Sequence, residues 1–185
     1  MNTIKTQEAG FSYIDVMISI TILMVGVMAL IGAITSGINM TTRSQLALGA
    51  KQIASSTVES IFTARDLNTE TVKWEAIGNV GDANIPGAIF LAGKQNIYAT
   101  RDWDGIIGTA DDGWGPDGIQ GNSDDGQPAA GLRREIKITD LVDPDRPTSP
   151  ITLRQIDVII YYYDGPAERQ ETFTSYIANY RIRAS

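Results

Sequence analysis

Seven aspartates, Asp102, Asp104, Asp111, Asp112, Asp117, Asp124 and Asp125, crowd residues 102–126 with no Lys or Arg among them. Their spacing is periodic. Asp104-Gly105-Ile106-Ile107-Gly108-Thr109-Ala110-Asp111-Asp112-Gly113 is followed by Asp117-Gly118-Ile119-Gln120-Gly121-Asn122-Ser123-Asp124-Asp125-Gly126, a D-G-I-x-G-x-x-D-D-G pattern repeated after 13 residues. So many carboxylates interleaved with glycine form neither a core nor a stable helix, and without compensation they repel one another. Calcium resolves the repulsion, because it takes 6–8 oxygens from carboxylates, amides and backbone carbonyls in relaxed geometry. The glycines let the backbone turn so that carbonyls point inward. The candidate ligands are Asp102, Asp104, Asp111, Asp112, Asp117, Asn122, Asp124 and Asp125, for one or two ions, with Ile106 and Ile119 tucked beneath as small apolar pins. A disordered acidic loop and an acidic contact surface for a basic partner are the competing readings. Trp103 and Trp114 either shield the loop or serve as exposed contacts.

The repeat resembles the aspartate- and glycine-rich calcium repeats of secreted bacterial proteins. It is not an EF-hand: Ile106 sits where a third oxygen ligand belongs, and no glutamate closes a twelve-residue loop. Little other chemistry is on offer. The chain has no Cys and no His, so disulfides, thiolate sites and imidazole bases are excluded. No phosphate-cradling glycine loop and no Ser-centred constellation is present, and the expectation is a protein that is not an enzyme. The formal charge is −7, and the acidic stretch supplies 7 of the 22 acids, leaving 15 against 15 elsewhere. That distribution argues against a nucleic-acid partner, which calls for a basic face.

The element that carries this loop is set by the other unusual acid. Gly10 to Ile38 is a long apolar run whose single charge is Asp15. As a helix it is about 40 Å long, enough to cross a hydrocarbon core of about 30 Å. A cleaved secretory signal does not fit, because the apolar core is too long and no A-x-A-like site follows. A plain anchor fits the length but gives Asp15 no purpose, and an acid in hydrocarbon costs about 2.5–3.5 kcal/mol on insertion scales. Cleavage after Gly10 supplies a partner: a cationic amine on Phe11, one helical turn from Asp15.

Gly10-Phe11-Ser12-Tyr13-Ile14-Asp15-Val16 followed by an apolar run resembles the N-terminal processing site of type IV pilins and type II secretion pseudopilins. The resemblance implies that a prepilin peptidase cuts after Gly10 and N-methylates Phe11. It also implies that Asp15, where the family usually has Glu, pairs with the Phe11 amine of a neighbouring subunit during assembly. Residues 176–180 are similar to the last strand of some minor pilins of the fimbrial V type. The implied location is the inner membrane for the precursor, head outside the cytoplasm, and then an extracellular pilus or periplasmic pseudopilus. The implied partners are other pilin subunits and the peptidase.

Helical period continues beyond the membrane segment. Leu46, Ala50, Ile53, Thr57 and Ile61 form one stripe, and no proline interrupts the chain before residue 86. One helix from Phe11 to about Ala64 is expected, ending near Arg65-Asp66-Leu67-Asn68; a break near Gly37 or Gly49 is the alternative. Gly32 is either a local melting point or, with Gly26, Ala29 and Ala33, a close-packing surface. Residues 72–77 read as a short strand or helical turn, with Trp74 a core anchor. Glu135–Thr139, the end of the run Leu153–Tyr163 (Val158, Ile160 and Tyr162 on one face) and Glu171–Ile177 alternate as strands, the last two joined by a turn at Asp164-Gly165-Pro166.

The layout is therefore a leader, 1–10; a membrane or filament-core helix, 11–38; its amphipathic continuation, 39–66; and a head, 67–185, that includes the acidic loop 102–126. The fold class is α+β, a long helix packed on a small antiparallel sheet. The functional expectation is a minor type IV pilin whose head is stabilised by calcium. The alternatives are a type II secretion pseudopilin and a single-pass calcium-dependent adhesin.

Overall fold

The computed structural model describes residues 12–67, 72–98 and 103–179. Helix α1 runs Tyr13–Leu67 without interruption through Gly26, Gly32, Gly37 and Gly49. Its start is capped reciprocally: the Ile14 amide donates to Ser12 Oγ at 3.4 Å and the Ser12 amide donates to Asp15 Oδ2 at 3.3 Å. Its last turn carries Arg65, the sign that complements the negative end of the helix dipole. The alternative of two separate helices is thus removed; Asn68 lies outside the described residues.

The chain divides into two compact units, Met1–Ser44 and Gln45–Ser185, with the division falling inside α1. In the first unit the described apolar side chains, from Tyr13 to Met40, are exposed. Its hydroxyls turn inward: Ser19, Thr21, Thr35, Thr41 and Thr42 each donate to the carbonyl four residues back at 2.7–3.1 Å. These five hydroxyls are thereby satisfied within the segment, as polar groups in lipid must be. Among the described residues, α1 is the helix long and apolar enough to cross a membrane.

In the second unit the rest of α1 packs on an antiparallel sheet of four strands in the order β1-β2-β3-β4. These are β1 (Gln95–Tyr98), β2 (Pro128–Leu141), β3 (Leu153–Asp164) and β4 (Ala167–Ala178). The helix buries Ala50, Ala54, Thr57, Val58, Ser60, Ile61 and Ala64. From the sheet, Ile136, Ile138, Ile156, Val158, Ile160 and Ile177 meet it, with Phe90 and Ile77 fully enclosed between. The expected stripe holds, with Leu46 and Ile53 at its half-buried margin. β3 and β4 pair along their whole length, from Leu153↔Ala178 to Asp164↔Ala167, across the Gly165-Pro166 turn.

One correction follows. The sheet has four strands, not three: β1 is only four residues long, too short to show alternation, and its register with β2 slips between Asn96 and Tyr98. Residues 74–76 form a single 3-10 turn, the helical-turn alternative for 72–77, and Arg154 of β3 holds it. There Arg154 Nη1 donates to the carbonyls of Trp74 and Ile77, both at 2.6 Å, while its Nε donates to Asp140 and its guanidinium stacks 4.5 Å from the Trp74 ring. Trp74 is a core residue, as its position suggested. Beyond β1, the Asn79 side chain extends the same edge of β2, donating to the Ile136 carbonyl and accepting from the Ile138 amide, both at 2.8 Å.

Candidate functional site: the duplicated acidic loop

The two copies of the acidic repeat share a backbone design. Its first aspartate caps the amide two residues on: Asp104 Oδ1 accepts from Ile106 at 2.8 Å, and Asp117 Oδ1 accepts from Ile119 at 2.9 Å. Its last aspartate reaches back four residues to a glycine amide: Gly108 donates to Asp112 at 2.9 Å, and Gly121 to Asp125 at 2.7 Å. Both glycines take positive φ, 101° and 93°, which side-chain-bearing residues rarely adopt.

The surroundings of the two copies differ. The first is built into the head. Ser60 of α1 accepts from the Ile107 amide at 2.8 Å and donates to the Gly105 carbonyl at 3.1 Å. The Leu91 amide donates to the Gly108 carbonyl at 2.7 Å. Ile106 is 3% exposed, in the core, and the Ile136 side chain fills the space that a Cβ on Gly108 would need. Arg134 of β2, itself 3% exposed, donates through Nη2 to Asp112 Oδ2 at 2.5 Å. Asp112 is thus held by two amides, from Gly108 and Thr109, and a guanidinium. Asp111 accepts from the Thr109 hydroxyl at 2.7 Å and the Trp103 indole at 2.8 Å.

Among the described residues, the second copy makes no hydrogen bond to α1 or to a strand, only bonds within the acidic loop. Asn122 Nδ2 donates to Asp117 Oδ2 at 2.7 Å, the Asp124 amide donates to Asn122 Oδ1, and the Gly126 amide donates to the Gly113 carbonyl. Ile119 is 61% exposed, which corrects the expectation that both isoleucines tuck inward. Asp125 Oδ1, the carboxylate oxygen not taken by Gly121, is buried and has no hydrogen-bond partner among the described residues. Asp124 crosses Gly115 so closely that a Cβ there would lie 2.8 Å from Asp124 Oδ2.

Electrostatics follow this packing. Burial pushes the Asp104 carboxyl above the usual aspartate range, and the charges of Asp111 and Asp112 push it the same way. Burial lowers Arg134, against the pull of Asp112. On the outer face of the sheet, a hydrogen bond to Glu135 raises Tyr161 to about 12, and the same bond lowers Glu135. Trp103 is exposed, lies against Gly118 and bonds Asp111, so it links the two copies; Trp114 is half-buried.

Of the expected metal ligands, Asp104, Asp111 and Asp112 belong to the first copy, and Asp117, Asn122, Asp124 and Asp125 to the second. No group of three or more acidic side chains converges on a point among the described residues. Asp102 lies outside them, as do Gly10 and Phe11. Asp15 is described, at the capped start of α1. The functional residues that motif reading missed are Ser60 and Arg134. Arg134 shares the two-residue parity of Ile136 and Ile138, so the strand pattern places it on the buried face. No protein-family model, curated protein or solved structure matches this chain.

Proposed function

We propose that the chain is a subunit of a type IV pilus-like filament, made as a membrane-inserted precursor and assembled through the first part of α1. The observation that carries this reading is Asp15: the one acid in the apolar run to Ile38, at the capped start of α1, five residues after Gly10 and four after Phe11. Uncut, Asp15 serves only as a helix cap. Cut after Gly10, the chain places a cationic amine next to Ser12, whose amide Asp15 already holds. In a bundle of such helices a carboxylate and an amine removed from water must pair, and that pairing fixes the stagger between subunits. Apolar packing of the exposed side chains supplies the remaining driving force.

The head takes calcium in this reading. Support comes from the hard-oxygen donor set of the second copy, Asp117, Asn122, Asp124 and Asp125, and from the unpartnered, buried Asp125 Oδ1. A buried carboxylate oxygen without a donor is costly, and a divalent cation is the natural remedy. Bound there, the ion would neutralise charge that the protein leaves uncompensated and brace a loop without disulfides.

Co-expression with a prepilin peptidase tests the first claim. The chain should shorten by its first ten residues, and Gly10→Val should block the cut. Asp15→Ala should leave cleavage intact while lowering incorporation into filaments. A chain that stays full length defeats the filament reading and leaves a membrane-anchored adhesin.

A further inference from the structure

We infer that β4 is a docking edge for a second copy of this chain. Two β4 strands pair antiparallel about a two-fold axis at Phe173 and join two four-stranded sheets into one. In the order β1-β2-β3-β4 the last strand has a neighbouring strand on one side only. The Asn179 amide donates to the Thr152 carbonyl at 2.8 Å, which fixes the phase of the β3–β4 ladder. Odd-numbered residues of β4 therefore turn their backbone groups to β3, and even-numbered ones turn theirs to the open edge. The Ala178 carbonyl agrees with that phase, accepting from Arg65 Nη1 at 3.4 Å on the open side. The backbone amides and carbonyls of Glu168, Gln170, Thr172, Thr174 and Tyr176 meet no partner among the described residues.

An edge of this length is ordinarily blunted by proline, a bulge or charge. β4 keeps an unbroken register with β3 from Ala167 to Ala178, holds no proline, and is uncharged from Thr172 to Ala178. Its acids are already engaged within the chain, Glu168 with Lys94 at 2.9 Å and Glu171 with Lys51 at 4.0 Å. The strand is also self-complementary. An axis at Phe173 sets Glu168 opposite Ala178, Gln170 opposite Tyr176 and Thr172 opposite Thr174, which matches every edge-facing residue of β4. Phe173, 39% exposed on the face of Val158, then lies against its own copy, and both this pair and the threonine pair are favourable across strands. Glu171 falls opposite Ser175, and no like charges face each other. Moving the axis to Glu171 sets that carboxylate against itself, and moving it to Ser175 leaves 167–171 unmatched.

The chain has no cysteine, so a disulfide formed by a single-cysteine variant joins two copies. Under mild oxidation of the full chain in detergent, Phe173→Cys should cross-link, because opposed residues of a non-hydrogen-bonded pair lie about 4.5 Å apart at Cα. Ser175→Cys, about 13 Å from its own copy in this register, should not cross-link alone. Mixed with Glu171→Cys, it should. Light scattering in detergent should give wild type twice the mass of Thr174→Pro, whose lost amide faces the open edge and not β3. Phe173→Lys, which sets two ammonium groups in opposition, should be monomeric as well and covers the case in which the proline variant fails to fold. A monomeric wild type, a dimer that survives both substitutions, or cross-linking of Ser175→Cys without Phe173→Cys would overturn the assignment.

Discussion

The two acidic repeats are near-copies in sequence and opposites in environment. Ile106 and Ile119 occupy the same repeat position, yet one is 3% exposed and the other 61%. Asp112 and Asp125 make the same backward bond to glycine, yet one carries a buried guanidinium and the other an unpartnered oxygen. The turn geometry is thus local, written in the Asp-Gly spacing. The fate of each copy is tertiary, decided by what α1 and β2 present to it. A repeat motif specifies a loop shape; residues far away in the chain decide whether that loop becomes core or surface.

The contrast breaks most sharply at Arg134. Arg134→Ala leaves Asp112 buried without its cation, and removing one partner of such a pair costs about 3–5 kcal/mol. Asp125→Ala, in chelator, should change stability by no more than about 1 kcal/mol, since it deletes one charged hydrogen bond and one unpartnered oxygen together. Thermal melts of the two variants side by side check this, and equal losses would mean that the copies are not packed differently. The isoleucines come next. Ile106→Ala opens a cavity in the core at about 2–5 kcal/mol, whereas Ile119→Ala should stay within about 0.5 kcal/mol; denaturant titration reads both.

The smallest effect is electrostatic. Burial raises the folded-state pKa of Asp104 above its unfolded value, so the native chain binds more protons between those two values. The Asp104 contribution is therefore most favourable below the unfolded pKa and is lost as pH rises through the raised one. Asp104→Asn keeps an acceptor for the Ile106 amide and should flatten that part of the stability–pH curve in chelator. An unchanged curve would place the titration elsewhere.

Much of this architecture is legible in the chain because its signals are periodic. The helix stripe, the alternation of Leu153–Tyr163 and the Asp164-Gly165-Pro166 turn each report one face or one reversal, and they reappear in α1, β3 and β4. β1 was illegible, since four residues cannot display a period and its partner is reached through an irregular register. In the loop, the spacing of Asp and Gly announced two copies but carried no information on which is enclosed. That depends on Ser60 and Arg134, separated from the first copy by tens of residues and joined to it only by folding.

The central claim is that α1 begins life behind a leader that is removed. Intact-mass measurement of the chain recovered from its native membranes or sheared filaments tests it most directly. The expected mass is that of a chain beginning at Phe11 and carrying one methyl group on that amine. A mass that retains Met1 to Gly10 would contradict it.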